Sequence, residues 1–373
     1  MVWLKLKNLG HIMSLSFYDF NSLHTPTFKE EILQRFSEIL EESSFVEGKY
    51  NALFEQAFAK LQNAKHALLV ANGTDAIEIC LTALGVKNGD KVGIPGITFF
   101  ATAEAVLNVG ATPIFIDIDP VTGLMDPHSL KRMMEKHKLS AIIPVHIYGL
   151  PAPVEELKKV AGNIPLIEDA AQAQGAFTPS GPVGSTGNLV TFSFYPTKNL
   201  AAFGDAGAIT TSDDKLMEKI KSLRNHGRGS NLFGRNSRCD HMQAAVLHLK
   251  LNQIEKQNEN RKMLAKIYHQ ALAGLDLKLL PEQFLNTSSW HLYPIKLKNK
   301  VERATLGEYL KSKGIASAPF YEKSMGQENA LQGFEGEREN AEEFAGSILC
   351  LPIGPYLKEE DILLVSRAIA EFF

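Results

Sequence analysis

Thr191 to Thr211 reads TFSFYPTKNLAAFGDAGAITT. The run from Leu189 to Phe194 is rich in β-branched and aromatic residues and stops at Pro196; a second such run, AITT, follows Gly204, Asp205, Ala206 and Gly207. Proline cannot donate to a ladder, so it closes the first strand, and the small residues open the second. The pattern predicts two buried strands with Lys198 on their connection. Burial disfavours the ammonium form and lowers an amine's pKa, the usual way a lysine becomes nucleophilic enough to form a Schiff base with a carbonyl compound. Read alone, Lys198 also suits a solvated surface loop, and the rest of the chain has to decide.

Upstream, HALLVANGTDAIEICLTALG (66–85) reads as a strand, a small-residue turn and a helix. Gly73 and Thr74 stand at the helix start, where free N–H groups and the positive dipole end suit a phosphate; Thr74 or Asp75 serves equally well as a plain helix cap. There is no GxxxxGK[ST] and no GxGxxG after a strand, which excludes a Walker loop and a dinucleotide fingerprint. KVGIPG, TPIFIDID, AIIPVHIYG and IPLIED then alternate with the helical patterns TFFATAEAVLNVG, SLKRMMEKH and VEELKKVAG. Strands that are apolar throughout belong in a parallel sheet covered on both faces, and such a sheet binds ligands at the carboxyl ends of its strands. Gly73, Thr74, Phe99, His146, Tyr148, Glu168 and Asp169 fall at such ends. A carboxylate at the dry end of IPLIED wants a cation, and a ligand's ring N–H⁺, an arginine or a helix N-terminus would each serve Asp169. Gln172 lies on the same side if AAQA begins a helix.

Two amphipathic helices are expected over 27–62, and a long helix near 240–271 bridges to a C-terminal region where strand and helix alternate on a smaller scale. The 373 residues are 45% hydrophobic and 22% charged, with a net charge of −3, as in a globular protein with a sizeable core. No Lys/Arg block recurs, so neither nucleic acid nor a membrane is an expected partner. Cys80, Cys239 and Cys350 show no metal-ligand or disulfide spacing; no metal site is expected, and a cytoplasmic location fits. MVWLKLKNLGHIM is too short and too interrupted by lysine for a signal peptide or a span, and Met13 is an alternative start to Met1.

Taken together, NGT (72–74), PGITFFATA (95–103), EDAAQA (168–173), SFYPTKNL (193–200), GDAGAITT (204–211), GRNSR (234–238) and SSWHLY (288–293) resemble the DegT/DnrJ/EryC1/StrS family of pyridoxal phosphate (PLP) aminotransferases. The resemblance implies the α/β fold type I architecture. It consists of a large PLP-binding domain (27–250) with a mostly parallel seven-stranded sheet between helices, a smaller α+β C-terminal domain (251–373), and an N-terminal extension (1–26). It implies a homodimer with shared active sites. Lys198 would carry PLP covalently and shuttle the proton, with pyridoxamine phosphate as the intermediate form. Asp169 would pair with the pyridinium nitrogen, Phe99 would stack on the ring, and Gln172 would contact the cofactor near its phenolic oxygen. Gly73, Thr74 and Ser193 would hold the phosphate, with Asn236 reaching in from the other subunit. Tyr321, His226 and His291 match substrate positions.

The implied reaction moves an amino group from glutamate to a nucleotide-linked 3-keto or 4-keto deoxyhexose, for amino-sugar and surface polysaccharide (lipopolysaccharide O-antigen) biosynthesis. Phe320, Tyr321 and Glu322 stand where many members have His-Tyr-Pro, and Gly204, Asp205, Ala206, Gly207 where Gly-Glu-Gly-Gly is usual. Three other readings compete. A sugar dehydratase of this family generally has histidine in place of the lysine; a non-catalytic regulator or scaffold has no need of Lys198 and Asp169 together; and a β-eliminase or cysteine desulfurase would want a reactive thiol, for which Cys239 is the candidate.

Overall fold

The computed structural model describes residues 15–186 and 188–373, so the choice between Met1 and Met13 lies outside the described residues. The strands are β1 (His66–Val70), β2 (Lys91–Pro95), β3 (Thr112–Ile116), β4 (Ala141–Ile142), β5 (Ile167–Asp169), β6 (Phe177–Thr178), β7 (Gly181–Pro182), β8 (Leu189–Ser193), β9 (Gly207–Thr211), β10 (Tyr293–Lys296) and β11 (Ile348–Leu351). The helices are α1 (Phe20–Leu23), α2 (Pro26–Glu42), α3 (Lys49–Leu61), α4 (Gly73–Ala83), α5 (Phe100–Asn108), α6 (Pro127–Lys136), α7 (Val154–Ala161), α8 (Asp214–Arg224), α9 (His241–Leu251), α10 (Ile254–Ala271), α11 (Phe284–Thr287), α12 (Lys300–Ser312), α13 (Glu339–Ser347) and α14 (Glu359–Phe372).

β1, β9, β8 and β5 form one hydrogen-bonded block, and β3, β2 and β4 another. Parallel bridges Ile142 to Leu166 and Val145 to Asp169 join the blocks, giving the order β1-β9-β8-β5-β4-β2-β3. β9 runs antiparallel to both of its neighbours, and the remaining pairings are parallel. This is the expected mostly parallel, seven-stranded sheet. Successive strand residues sort to opposite faces as the pleat requires. Leu68 and Val70 join a core with α4, α5 and α8, whereas Leu69, Val190 and Phe192 join one with α2, α3 and α9. Both faces are covered, which is why these strands read as apolar runs.

Two sequence expectations change. The long helix near 240–271 is two helices, with a break at Asn252 and Gln253. α9 packs on α2 and α3 beneath the sheet while α10 packs on α14, and one straight rod cannot follow both surfaces. The AAQA segment forms turns rather than a helix, because Ala173 and Ala176 close tight i,i+3 bonds to Ala170 and Ala173. The C-terminal layer holds the antiparallel pair β10 and β11 against α10, α12, α13 and α14. The first described residues belong to that layer: Leu15 exchanges hydrogen bonds with Gly314 and Ala316, and buried Phe17 lies edge-on to Phe320. Among the described residues, no helix is long and apolar enough to cross a membrane.

The strand that leads to Lys198 is anchored by four buried rings. Phe58 meets Phe54 face to face and Phe192 and Phe194 edge-on, at centroid distances of 5.0–5.3 Å. Phe58→Ala removes the ring at their centre, and we expect a loss of about 3–5 kcal/mol in urea unfolding. A loss below about 1 kcal/mol would show that the cluster does not anchor β8.

Candidate active site

A cleft of roughly 760 Å³ opens where the carboxyl ends of β1, β2, β5 and β8 meet the C-terminal layer. Its walls include Gly73, Thr74, Phe99, Asp169, Gln172, Ser193, Lys198, His291 and Tyr321. Nine positions singled out in the sequence thus converge, although they are scattered over about 250 residues of chain.

Lys198 follows β8 in a turn closed by its N–H to the Tyr195 carbonyl (2.8 Å). Its side chain is half-buried and faces the cleft, and Nζ makes no hydrogen bond or ion pair among the described residues. Burial pushes the amine down to about 8, against an opposing upward pull from the Asp169 carboxylate. At pH 7.5 about a quarter of such amines are neutral, compared with about one in a thousand for an ordinary lysine. The surface-loop reading of Lys198 is therefore excluded by its surroundings.

Asp169 ends β5 and is buried. Its Oδ1 accepts from the Ala171 N–H (3.1 Å) and its Oδ2 from the Thr102 hydroxyl (2.9 Å), which in turn pairs with Thr98. Burial raises the carboxyl pKa; these two donors and the Lys198 charge oppose the rise. Among the described residues no arginine pairs with Asp169, whose partners are the Ala171 N–H, the Thr102 hydroxyl and, through space, the Lys198 charge.

Of the two alternatives for the turn before α4, a phosphate site or a plain cap by Thr74 or Asp75, the cap falls to neither residue: the Asn72 Oδ1 accepts from the Asp75 N–H (2.8 Å). The Gly73 and Thr74 N–H groups have no partner among the described residues and face the cleft. Ser193 closes the other side so tightly that a Cβ at position 73 would come within 2.9 Å of its Cβ, so glycine is required. The result is a pocket of N–H and O–H donors at a positive helix end, suited to a phosphate. Phe99 projects beside it, 57% exposed, with its ring 5.8 Å from that of Tyr321.

Gln172 is set by two hydrogen bonds, accepting from the Tyr148 N–H (2.6 Å) and donating to the Tyr321 hydroxyl (2.9 Å). His291 is buried against Asn199 at 3.2 Å, and burial, together with nearby Lys198, holds it well below the ordinary histidine range and hence neutral. Asn236 and His226 lie elsewhere: both are exposed on the segment where Asn225 bridges Asn236, outside the cleft of their own chain. Glu168 and His146 also turn away, pairing with each other at 3.0 Å in the interior. Cys239 is buried and its thiol is pushed up to about 12, which removes the reactive thiol that an eliminase or desulfurase would want.

Sequence reading missed Thr102, Tyr18 and Arg235. Thr102 is one turn from Phe99 on α5, a spacing that flags it once Phe99 is placed. Tyr18 lies outside every motif and is brought to the cleft by the tertiary structure, and Arg235 is drawn to its edge by Asp75 (3.1 Å) and Glu78.

The amine's environment is directly measurable. Reductive methylation of protein freed of small molecules, followed by peptide mapping across pH 6–11, should label Lys198 with a midpoint near 8. Asp169→Asn should lower that midpoint further, since the carboxylate favours the charged amine. A midpoint at the ordinary lysine value would refute the assignment.

Known proteins resemble this chain over nearly its whole length. The DegT/DnrJ/EryC1/StrS aminotransferase family profile matches residues 26–370. A pleiotropic regulatory protein of Geobacillus stearothermophilus is 38% identical over 356 residues, spanning 92% of this chain and 95% of the relative. A UDP-N-acetyl-3-dehydro-α-D-glucosamine 3-aminotransferase of Acidithiobacillus ferrooxidans is 37% identical over 354 residues, spanning 93% and 95%. The crystal structure of Streptomyces venezuelae DesV in complex with a ketimine intermediate matches with a TM-score of 0.90 at 32% identity, covering 96% of this chain and 98% of that one. With the fold type I architecture in place and the family match running nearly end to end, this chain belongs to the DegT/DnrJ/EryC1/StrS family of PLP-dependent aminotransferases.

Proposed function

We propose that this aminotransferase moves an amino group from glutamate to a 3-keto or 4-keto deoxyhexose carried on a nucleotide. The product serves amino-sugar and surface polysaccharide biosynthesis in the cytoplasm. Lys198 would hold PLP covalently, and the cofactor, as pyridoxamine phosphate, would supply the amino-group carrier between the two substrates. The observation that carries this reading is the Lys198 amine, free of hydrogen bonds, depressed to about 8 and facing the same cleft as Asp169. The A. ferrooxidans relative bears a name that places its reaction at C3 of a UDP-linked keto-sugar, which favours the 3-keto substrate here.

The residues present fit PLP. The paired N–H groups of Gly73 and Thr74, with the Thr74 and Ser193 hydroxyls, suit its phosphate; Phe99 offers an exposed ring to stack on; Asp169 offers a carboxylate for a protonated ring nitrogen. When bound, PLP supplies an electron-accepting ring that makes the donor's Cα–H acidic. The chain's own part is positional and protonic. Thr102 and the Ala171 N–H favour the ionised form of Asp169 and fix its direction. Lys198 Nζ, neutral in part at pH 7.5, has the free lone pair needed to condense with an aldehyde, with release of water, and once free again would take up the proton leaving the donor's Cα. Neutral His291 adds no competing positive charge beside it.

Asn236 and His226 serve a cleft only if a second copy presents them, which supports a homodimer with shared sites. Phe233 in the same segment is 98% exposed, an apolar side chain suited to cover by a partner. The regulator reading draws on the name of the G. stearothermophilus relative. It offers no reason for a lysine depressed by burial beside a carboxylate.

Purified protein should show a visible absorption band that glutamate bleaches, and borohydride should fix PLP to the peptide containing Lys198. Lys198→Ala should lose the band and at least about 10³-fold in turnover of a keto-sugar nucleotide. Retention of turnover in that variant would defeat the proposal, and an unaltered biological effect without turnover would favour the regulator. Coexpressed Lys198→Ala and Asn236→Ala chains should recover part of the activity that each lacks alone; no recovery would count against shared sites.

A further inference from the structure

Tyr148 sits just behind the cleft and does not line it. Its backbone is left-handed (φ 61°), which for a bulky residue is a genuine exception. Gly149 follows at φ 90°, and a Cβ there would meet the Ser289 hydroxyl at 2.6 Å and the Gln172 carbonyl at 3.0 Å. This unusual turn aims the Tyr148 N–H at Gln172 Oε1 (2.6 Å). The Tyr148 hydroxyl points the other way, donating to the carbonyl of Phe320. Gln172 Nε2 then donates to the hydroxyl of Tyr321, the residue after Phe320, at 2.9 Å.

These three hydrogen bonds close a ring. It runs from the Tyr148 amide to the Gln172 side chain, to the Tyr321 hydroxyl, along the chain to the Phe320 carbonyl, and back to the Tyr148 hydroxyl. It ties the loop after β4 to the C-terminal layer. It also dictates polarity: the Gln172 oxygen is occupied by an N–H, so its NH₂ must face Tyr321. Tyr321 accepts that bond, and its own proton is left to point into the cleft it lines. The neighbours of Tyr321 are held separately, Phe320 against the ring of Phe17 and Glu322 by Arg303 at 3.3 Å.

We propose that Tyr148 is a positioning residue that locks the Phe320–Tyr321 segment onto Gln172, so that the Tyr321 hydroxyl enters the cleft as a fixed hydrogen-bond donor to the sugar-nucleotide substrate. A packing role alone gives a different expectation. The Tyr148 ring is buried and stacked near Phe344, and Tyr148→Phe keeps that packing while deleting the bond to Phe320. The substrate part of the proposal rests on the sugar-nucleotide reading above; the structural part does not.

Hydrogen exchange on the substrate-free protein tests the structural part. In Tyr148→Phe, peptides spanning 318–325 should exchange about fivefold to tenfold faster, as expected for one lost hydrogen bond, with the melting temperature nearly unchanged. The KM for the keto-sugar nucleotide should rise by a similar factor, with kcat within about twofold. Tyr321→Phe should raise KM as well, and the double variant should be no worse than the poorer single one, since both break the same ring. Unchanged exchange at 318–325, or KM effects that multiply in the double variant, would overturn the proposal. If no sugar nucleotide is turned over at all, the functional reading fails while the exchange result still decides whether the ring exists.

Discussion

The arrangement depends on a buried carboxylate and a partly neutral amine held in one cleft without a direct hydrogen bond between them. Asp169 directs its two oxygens to the Ala171 N–H and the Thr102 hydroxyl rather than to Lys198. A short ion pair would stabilise the ammonium form and cost the amine its nucleophilicity. Kept apart, the carboxylate raises the lysine pKa only part of the way back, and burial still wins. Each group is thus left with its charge or lone pair available to a ligand.

The interior beneath the cleft keeps that arrangement in place. Adjacent residues at the end of β5 go to opposite faces, Asp169 to the cleft and Glu168 to the core. Burial raises the Glu168 carboxyl pKa, but His146, Thr186 and Asn188 surround it and bring it below its ordinary value. His146 is held in turn, accepting from the Ala152 N–H at 2.9 Å, so the loop that carries Tyr148 is pinned at both ends. An isolated charge in this position would be prohibitive; paired and fully hydrogen-bonded, it fixes the strand end that presents Asp169.

The same economy governs the segment where the chain departs from its family. Phe320 and Glu322 replace a histidine and a proline, and neither residue is left without a partner: one packs on Phe17 and the other meets Arg303. Tyr321 between them keeps its hydroxyl at the cleft.

The sequence by itself determined much of this protein. Strand runs apolar on both faces imply a covered parallel sheet, and Pro196 with the Gly204–Gly207 segment marks the connection that carries Lys198. Local chemistry of this kind acts over a few residues and is written in their order. Seven ordered motifs named the family, and with it Phe99, Ser193 and Asn236, which pattern alone leaves as ordinary core, strand and loop residues. Only the tertiary structure decided the rest. That Asn72 and not Thr74 caps α4, that Thr102 serves Asp169, and that Tyr148 clasps Phe320 across 172 residues of chain all depend on which surfaces meet once the sheet is covered. The depression of Lys198 is likewise a property of what surrounds it, because desolvation comes from neighbours distant in sequence.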